Sequence, residues 1–542
     1  MEYNHRVFHV HLEPDISDNV ITRKTLPTIG LCVTFVSIMF FHYVSLVDYP
    51  MPSCDENFYG RSALKFFDAV FSGERWPAAN SAFFLFHGRG YWLLLGIAFS
   101  LLGPTLFAAR IVSLLGLLLF IIATFFVGKL YVNRTVGLWS SLLVSVAWLS
   151  MHSGHLARPD VLSSAVGTAS VALAKYVTNN HHWRNFLLLG VVLSAQIEIH
   201  PLSIHLVLPI LLMMTVFVFR KRLWIQMLAT ILGIATALGF ILLGRYGADT
   251  VAVVSGFIGG NDLLVEFVRG DSSANQTNLL DSVGTFLRFW WDSYAWLAPF
   301  VSTPQALFFL FGLIFAWVRG SAGLRGLASI VIVSSVSFAL TNRTHSWLGY
   351  SLLWLPYYTV MWVTAVMGFR VLSRWIWLNH NLARVVLVLH GFVYLVGDVY
   401  LLRGDREKTE EIYYTEANQI LAGIPRGARV LAKQYWWYAM RDKVTFLDEN
   451  LVAPRGSLAW WIGVPDDIAY PRQRVDLDTQ VSEQFDGELR PDFVVVDGVL
   501  GCMDVRDENY NAFIGVVQSR CKLNKQIHSN LYRVQHVYQC VS

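Results

Sequence analysis

The chain has 542 residues, of which 54% are hydrophobic and only 15% charged, and its formal net charge is +4. A soluble protein carries about 25% charged residues, so the composition excludes an ordinary soluble enzyme and points to a polytopic membrane protein. The lysines and arginines are scattered, which leaves no basic footprint and no expectation of a nucleic-acid partner.

The first 26 residues are polar. The apolar run from Leu31 to Val47 has no small-residue cleavage site after it, so it reads as a retained first span and not as a removed signal. About eleven spans are expected, each near the ~20 residues needed to cross the hydrocarbon or somewhat shorter. They lie at 27–46, 105–128, 136–153, 161–177, 186–200, 202–219, 224–244, 298–318, 326–341, 350–369 and 385–402. Two further segments read as lying on the membrane. In 55–72, Phe58, Ala63, Phe66, Phe67, Val70 and Phe71 recur at the spacing of an amphipathic surface helix. The run 91–102 is apolar but short, as an interfacial helix would be.

Charge assigns sides. Arg23-Lys24, Lys129 with Arg134, Arg184, Arg220-Lys221-Arg222, Arg319 with Arg325, and Arg370, Arg374 and Arg384 fall on one side, against Arg158 and Arg343 opposite. The positive-inside rule then makes the N-terminus cytoplasmic. It places 47–104, 153–160, about 245–297, 341–349 and 403–542 on the far side. After Arg403 the composition changes: a charged helix through Leu421 is followed by β-type runs at 429–432, 443–447, 492–497 and 531–534. Residues 1–402 therefore read as a membrane domain and 403–542 as a soluble, extracytoplasmic α/β domain, with the apolar run Phe493 to Val496 as a buried central strand. Of the five cysteines (Cys32, Cys54, Cys502, Cys521, Cys540), the last three could supply one disulfide if that end meets an oxidising compartment.

The candidate chemistry gathers on the far side. Asp55-Glu56 follows the first span, and a carboxylate left in hydrocarbon costs roughly 2.5–3.5 kcal/mol, so such a pair is either solvated or employed. Asp160, in Ala157-Arg158-Pro159-Asp160, opens the fourth span, where it is either a helix-terminal acid or a second site acid beside Arg158. His200 stands at the end of the fifth span in Gln196-Ile197-Glu198-Ile199-His200-Pro201, as a helix-end polar residue or a proton carrier. His87 and Arg89, in a Gly-flexible run before Tyr91-Trp92, could hold a lipid phosphate or simply form an interfacial loop. There is no GxxxxGK[ST] and no GxGxxG, so a nucleotide-driven pump or a Rossmann donor site is unsupported.

The order of these pieces resembles the GT-C glycosyltransferases, in particular the protein O-mannosyltransferase and aminoarabinose-transferase-like group. The matching residues are Asp55-Glu56-Asn57-Phe58-Tyr59, Tyr91-Trp92, Leu102-Gly103, Ala109-Arg110, Ala157-Arg158-Pro159-Asp160, Ile199-His200-Pro201 and Arg490-Pro491-Asp492-Phe493-Val494-Val495-Val496-Asp497. The family's Lys-Pro-Pro stretch is replaced by Phe86-His87-Gly88-Arg89-Gly90, which suggests a subgroup with a different sugar and acceptor. The resemblance implies transfer of a sugar from a polyprenyl-phosphate donor to a glycan, lipid or protein acceptor outside the membrane, with inversion. It makes Asp55, Glu56 and Asp160 the catalytic acids, with Asp55 the general base or the acid that orients the acceptor hydroxyl, and Glu56 and Asp160 positioning the acceptor or a metal. Arg158, His87, Arg89 and His200, with Tyr59 beside them, would contact the donor phosphate or substrate. Asp55 and Asp160 could also take Mg2+ or Mn2+ as hard oxygen ligands. The rival expectation is a transporter or lipid flippase of the envelope, which predicts inverted repeats and helices broken at mid-membrane.

Overall fold

The computed structural model describes residues 21–72 apart from 49 and 51, then 89–200, 203–246, 299–341, 355–375, 384–393, 410–448, 485–497, 507–529 and 534–540, with single positions 382, 396 and 482. Most of the expected apolar segments are helices. They are α1 (Ile21–Val44), α4 (Leu106–Tyr131), α5 (Arg134–Ser145) with α6 (Trp148–His155), α7 (Asp160–Asn179), α8 (Trp183–Ile199), α9 (Ile204–Lys221), α10 (Trp224–Tyr246), α11 (Pro299–Arg319), α12 (Ala322–Thr341) and α13 (Leu355–Trp375). The two surface segments are helical as well, as α2 (Cys54–Ser72) and α3 (Arg89–Leu102). Among the described residues, two helices, α4 and α7, are by themselves long and apolar enough to cross a membrane, and the bent pair α5–α6 makes a third if it is one span. The other apolar helices have side chains described over shorter stretches, among them Val33–Val44, Trp224–Gly239 and Phe308–Arg319, and the eleventh expected span is described at 384–393 and 396.

Local chemistry sets the helix starts. Thr105 accepts the Ala108 N–H at 3.1 Å and opens α4, and Asn133 accepts the Val136 N–H at 3.0 Å and opens α5. These two helices cross at Gly128 and Gly137. A Cβ on Gly128 would lie 2.7 Å from the Gly137 backbone nitrogen, so the crossing needs the absence of side chains on both. α7 packs along α4 and α8 against α10, and the buried face of α7 (Val161, Ala165, Val171, Ala172, Ala174) sits in the main apolar cluster.

The C-terminal residues build a five-stranded sheet in the order β2-β1-β3-β5-β4, from β1 (Arg429–Ala432), β2 (Thr445–Asp448), β3 (Phe493–Val496), β4 (Cys521–Ile527) and β5 (Gln535–Cys540). β1 runs parallel to both β2 and β3, and β5 runs antiparallel to β3 and β4. β3 is buried along its length between β1 and β5, as its apolar run leads one to expect. Helices α14 (Glu410–Leu421) and α16 (Asp507–Arg520) belong to the same region, and the short α15 (Trp437–Met440) follows β1.

Two strands depart from expectation. β4 is an edge strand with a largely exposed, polar sequence, Cys521-Lys522-Leu523-Asn524-Lys525-Gln526-Ile527, so no apolar run announces it. The strand expected at 531–534 has its first three residues outside the described set, and the strand itself begins one residue further on, at Gln535. Cys521 and Cys540 pair across β4 and β5 and form a disulfide, while Cys502 lies outside the described residues.

One apolar cluster joins the two parts of the chain: Tyr59, Ala63, Tyr91, Trp92 and Ala109 pack with Tyr413, Val430, Trp436 and Tyr438. The disulfide closes a loop with a sequence separation of 19, and a cross-link of that span stabilises by about 3 kcal/mol in the chain-entropy account. Cys540→Ser is therefore expected to lower the unfolding midpoint of the sheet, read as earlier loss of resistance to protease under heating. Treatment of the parent protein with a reductant should reproduce the shift, and an unchanged midpoint in both would refute it.

Candidate active site

The site is built from the start of α2. Ser53 Oγ accepts the Glu56 N–H at 3.3 Å, and Glu56 Oε2 accepts the Ser53 N–H at 3.0 Å. This reciprocal pair is a capping box, which satisfies two backbone donors that the helix leaves open. Glu56 is then gripped from the other side. Arg110, in the first turns of α4, donates Nε to Oε1 at 2.8 Å and Nη2 to Oε2 at 2.9 Å. The Ala157 N–H donates to Oε1 at 2.8 Å. Arg110 also donates to the carbonyls of Leu46 at 3.0 Å and Pro50 at 2.8 Å. Both side chains are 0% exposed. A buried ion pair survives only where its remaining donors and acceptors are met, and here four stretches of chain meet them.

That arrangement corrects one expectation. Glu56 stands among the catalytic acids in the sequence reading, yet it is sealed from solvent with both oxygens engaged. The geometry gives it a framework part: it fixes the helix that carries Asp55 and the loop that carries Arg158.

Arg158 follows directly from the fixed Ala157 amide. Its Nε donates to Asp160 Oδ2 at 2.8 Å and its Nη1 to Asp55 Oδ2. The three side chains differ sharply in access: Asp55 is 35% exposed, Arg158 17% and Asp160 2%. Asp160 is the first residue of α7, and its side chain turns to Arg158. Its other oxygen, Oδ1, makes no hydrogen bond among the described residues and stands 4.0 Å from Nε2 of His200. Burial works against the charge on Arg158, but Asp160 first and Asp55 next outweigh it, and the guanidinium is held protonated above its ordinary range.

Tyr59 lies one turn beyond Asp55 and is buried, with its ring edge-on to Tyr91 at 5.7 Å. Burial raises its phenol far above the usual range; Arg158 opposes this, and Asp160 and Asp55 add to it. It therefore stays a neutral hydroxyl. Tyr91 in turn shares a 3.2 Å hydrogen bond with Ser113, whose hydroxyl donates to the Arg158 carbonyl at 3.4 Å.

The structure thus brings together Asp55, Asp160, Arg158, His200 and Tyr59. His87 lies outside the described residues. Arg89 is the first residue of α3, and its side chain is outside them too. The backbone at Gly90 nevertheless sits beside the end of α8, where an added Cβ would lie 3.3 Å from Ile199 Cγ1, so the α3 start and His200 share one corner of the protein. Sequence reasoning missed Ser53 and Ser113 and quoted Arg110 only as the opening of a span. The Ser53-x-x-Glu56 spacing was a usable signal for the cap; nothing local marks Ser113.

As a metal site the cluster does not fit well. Among the described residues no three of His, Cys, Asp and Glu are grouped to hold an ion. The guanidinium of Arg158 stands between Asp55 and Asp160 and takes one oxygen of each, where an ion would have to displace it.

Residues 89–243 match the family described as dolichyl-phosphate-mannose-protein mannosyltransferase. Among solved structures, ArnT from Cupriavidus metallidurans bound to undecaprenyl phosphate superposes with a TM-score of 0.61 at 13% identity, covering 95% of this chain and 98% of that one. The apo state of the same enzyme gives 0.57 at 14% identity, over 95% and 98%. The apo oligosaccharyltransferase of Archaeoglobus fulgidus gives 0.50 at 10% identity, over 88% of this chain and 70% of that one. Comparison with curated proteins by sequence finds no match. The chain thus has the fold of the ArnT structures over the 95% of its length that they cover, and residues 89–243 are similar to the mannosyltransferase family.

Removing one member of the buried pair leaves an uncompensated charge. Arg110→Met is expected to cost about 3–5 kcal/mol of stability, seen as a lowered thermal midpoint of the detergent-solubilised protein. The double variant Glu56→Gln/Arg110→Met should recover much of that loss, and equal destabilisation by single and double variants would show that the charges are not the cause.

Proposed function

We propose that the chain is an integral-membrane glycosyltransferase that moves a sugar from a polyprenyl-phosphate donor to an acceptor hydroxyl on the extracytoplasmic side, with inversion at the anomeric carbon. The carrying observation is the graded access of the acid cluster. Asp55 is the acid open to solvent, and it sits against an arginine whose orientation a second, buried acid sets. Arg158 spends Nε and Nη1 on those acids, and its Nη2 makes no hydrogen bond among the described residues. It is therefore placed to receive an anionic oxygen. Undecaprenyl phosphate is the ligand of the ArnT structure that shares this fold.

In this reading the acceptor hydroxyl reaches Asp55, which takes its proton as the oxygen attacks the anomeric carbon. A base must come within about 2.6–3.2 Å of that oxygen. The bond from the anomeric carbon to the phosphate oxygen breaks, and the pair goes to the leaving polyprenyl phosphate. Arg158 stabilises the charge that develops there, and one displacement inverts the centre. Asp160 acts by holding Arg158. Tyr59 is a neutral donor at the edge of the cluster, and His200, with His87 and Arg89 from the loop before α3, would border the phosphate and headgroup.

The same reading takes about eleven spans, residues 1–402 as the membrane domain, a cytoplasmic N-terminus and an extracytoplasmic domain from 403 onward. The one-sided arginines and lysines support that orientation. The Cys521–Cys540 disulfide supports an oxidising compartment for the sheet.

Two substitutions test the roles. With radiolabelled undecaprenyl-phosphate sugars and membranes carrying the protein, Asp55→Asn should reduce transfer by about 10²–10⁴-fold while the protein stays folded; near-normal turnover would remove Asp55 as the base. Arg158→Lys keeps a charge but loses the planar fork that bridges two acids. It should raise the donor KM and also lower kcat, and an unchanged donor KM would count against a phosphate contact.

A further inference from the structure

We propose that the segment 434–441 of the C-terminal domain is a clamp on the first turns of α2, and that Tyr438 and Asn57 are positioning residues that set where Asp55 stands. The proposal rests on the transfer reading for its functional part, though the clamp itself can be observed without turnover.

The contact is specific. The Tyr438 N–H donates to Asn57 Oδ1 at 3.1 Å, and Asn57 Nδ2 donates to the Ser53 carbonyl at 2.8 Å. A carboxamide can accept from one chain and donate to another at once, and here it ties α15 to the residue that caps α2. The Tyr438 hydroxyl donates to the Glu56 carbonyl at 3.3 Å. Asn57, Glu56 and Tyr438 are all buried. The approach is close enough to need a glycine: a Cβ on Gly60 would overlap the Tyr438 hydroxyl, lying 2.7 Å from Tyr438 Cζ and 3.1 Å from Trp437 Cζ3. Arg441 adds a bond to the Pro104 carbonyl at 3.5 Å, just before α4.

The clamp is braced from behind. The segment leaves β1 at its carboxyl end, and β1 lies between β2 and β3. The chain thus runs from β1 to one side and then to the other, and the carboxyl ends of β1 and β3 form the switch point where open α/β sheets commonly bind ligands. Here that place is filled by the protein itself. Lys433, just past β1, pairs with Asp497, just past β3, at 2.6 Å, and both are buried. Tyr435 donates to the other Asp497 oxygen at 2.9 Å. Trp436 donates to Gln535 at 3.4 Å and stacks on Tyr413 with ring centroids 5.5 Å apart. Residues 435 to 438 are thus held on one side by the sheet and press on α2 with the other.

Asp55 lies between Ser53 and Asn57, the two ends of the bond that the clamp tightens. A displacement of about 1 Å at a reacting group can cost about 100-fold in rate, so looser packing here should appear in turnover before it appears in donor binding. The full-length protein in detergent is the object of the test, with Tyr438→Phe and Gly60→Ala as variants. Hydrogen exchange over amides 57–63 should quicken by about ten-fold in Gly60→Ala and by less in Tyr438→Phe. Transfer from an undecaprenyl-phosphate sugar should lose about ten-fold in kcat in Gly60→Ala, with the donor KM within about two-fold. In a Tyr438→Ala background the same glycine change no longer overlaps the tyrosine and meets only the Trp437 edge at 3.1 Å, so its added effect should shrink below about two-fold. If Gly60→Ala does not fold, Tyr438→Phe alone decides, because it keeps the ring and removes only the bond to the Glu56 carbonyl. Unchanged exchange overturns the clamp. Faster exchange with an unchanged kcat overturns its positioning role. If the parent protein transfers no sugar at all, the transfer reading fails, and exchange still decides the clamp.

Discussion

Everything near the site hangs on the ion pair of Glu56 and Arg110. Two opposite charges with no access to water are tolerable only if every remaining hydrogen-bonding position is met, and meeting them gathers the loop at 46–50, the cap of α2, the start of α4 and the turn at Ala157. The pair is a poor source of net stability, because desolvation offsets most of the attraction. Its contribution is uniqueness: chain segments separated by 54 and 101 positions are brought to one point by donors that have nowhere else to go. The next residue on each side of that point, Asp55 on one and Arg158 on the other, is where access to solvent begins.

Adjacent residues therefore carry opposite duties. Asp55 and Glu56 are neighbours in a helix, so their side chains diverge by roughly 100°. One points inward to Arg110 and is sealed; the other points to the rim and stays open. The same division separates Ala157, which gives its amide to the framework, from Arg158, which faces the rim. A rigid inner layer with a partly exposed outer one is what an electrostatic site needs, since donors aimed in advance at a developing charge do not have to reorganise during reaction.

Much of this was legible in the sequence. Helical segments followed from apolar runs, the central strand β3 from an unbroken buried run, and the joining of Asp55, Asp160, Arg158 and His200 from a shared side and a family-like order. What escaped has physical reasons. β4 is polar and lies at an edge, so its strand character comes from pairing with β5 and not from its own pattern. The division of labour between Asp55 and Glu56 depends on which face of α2 meets α4, and that is a tertiary fact. The grip of Tyr438 on Asn57 links positions 381 apart and has no local signature; only the closeness demanded at Gly60 hints at it, and a glycine alone says little.

The order of the strands also dictates a sequence of events in synthesis. β5 follows every other described element in the chain, yet it inserts between β3 and β4, and Gln535 at its start receives Trp436. The segments that carry Asp55 and Arg158 are made long before that strand exists. The brace behind Tyr438 is completed only when β5 slots in, so a partly made chain holds its acids and its arginine without the support that aligns them.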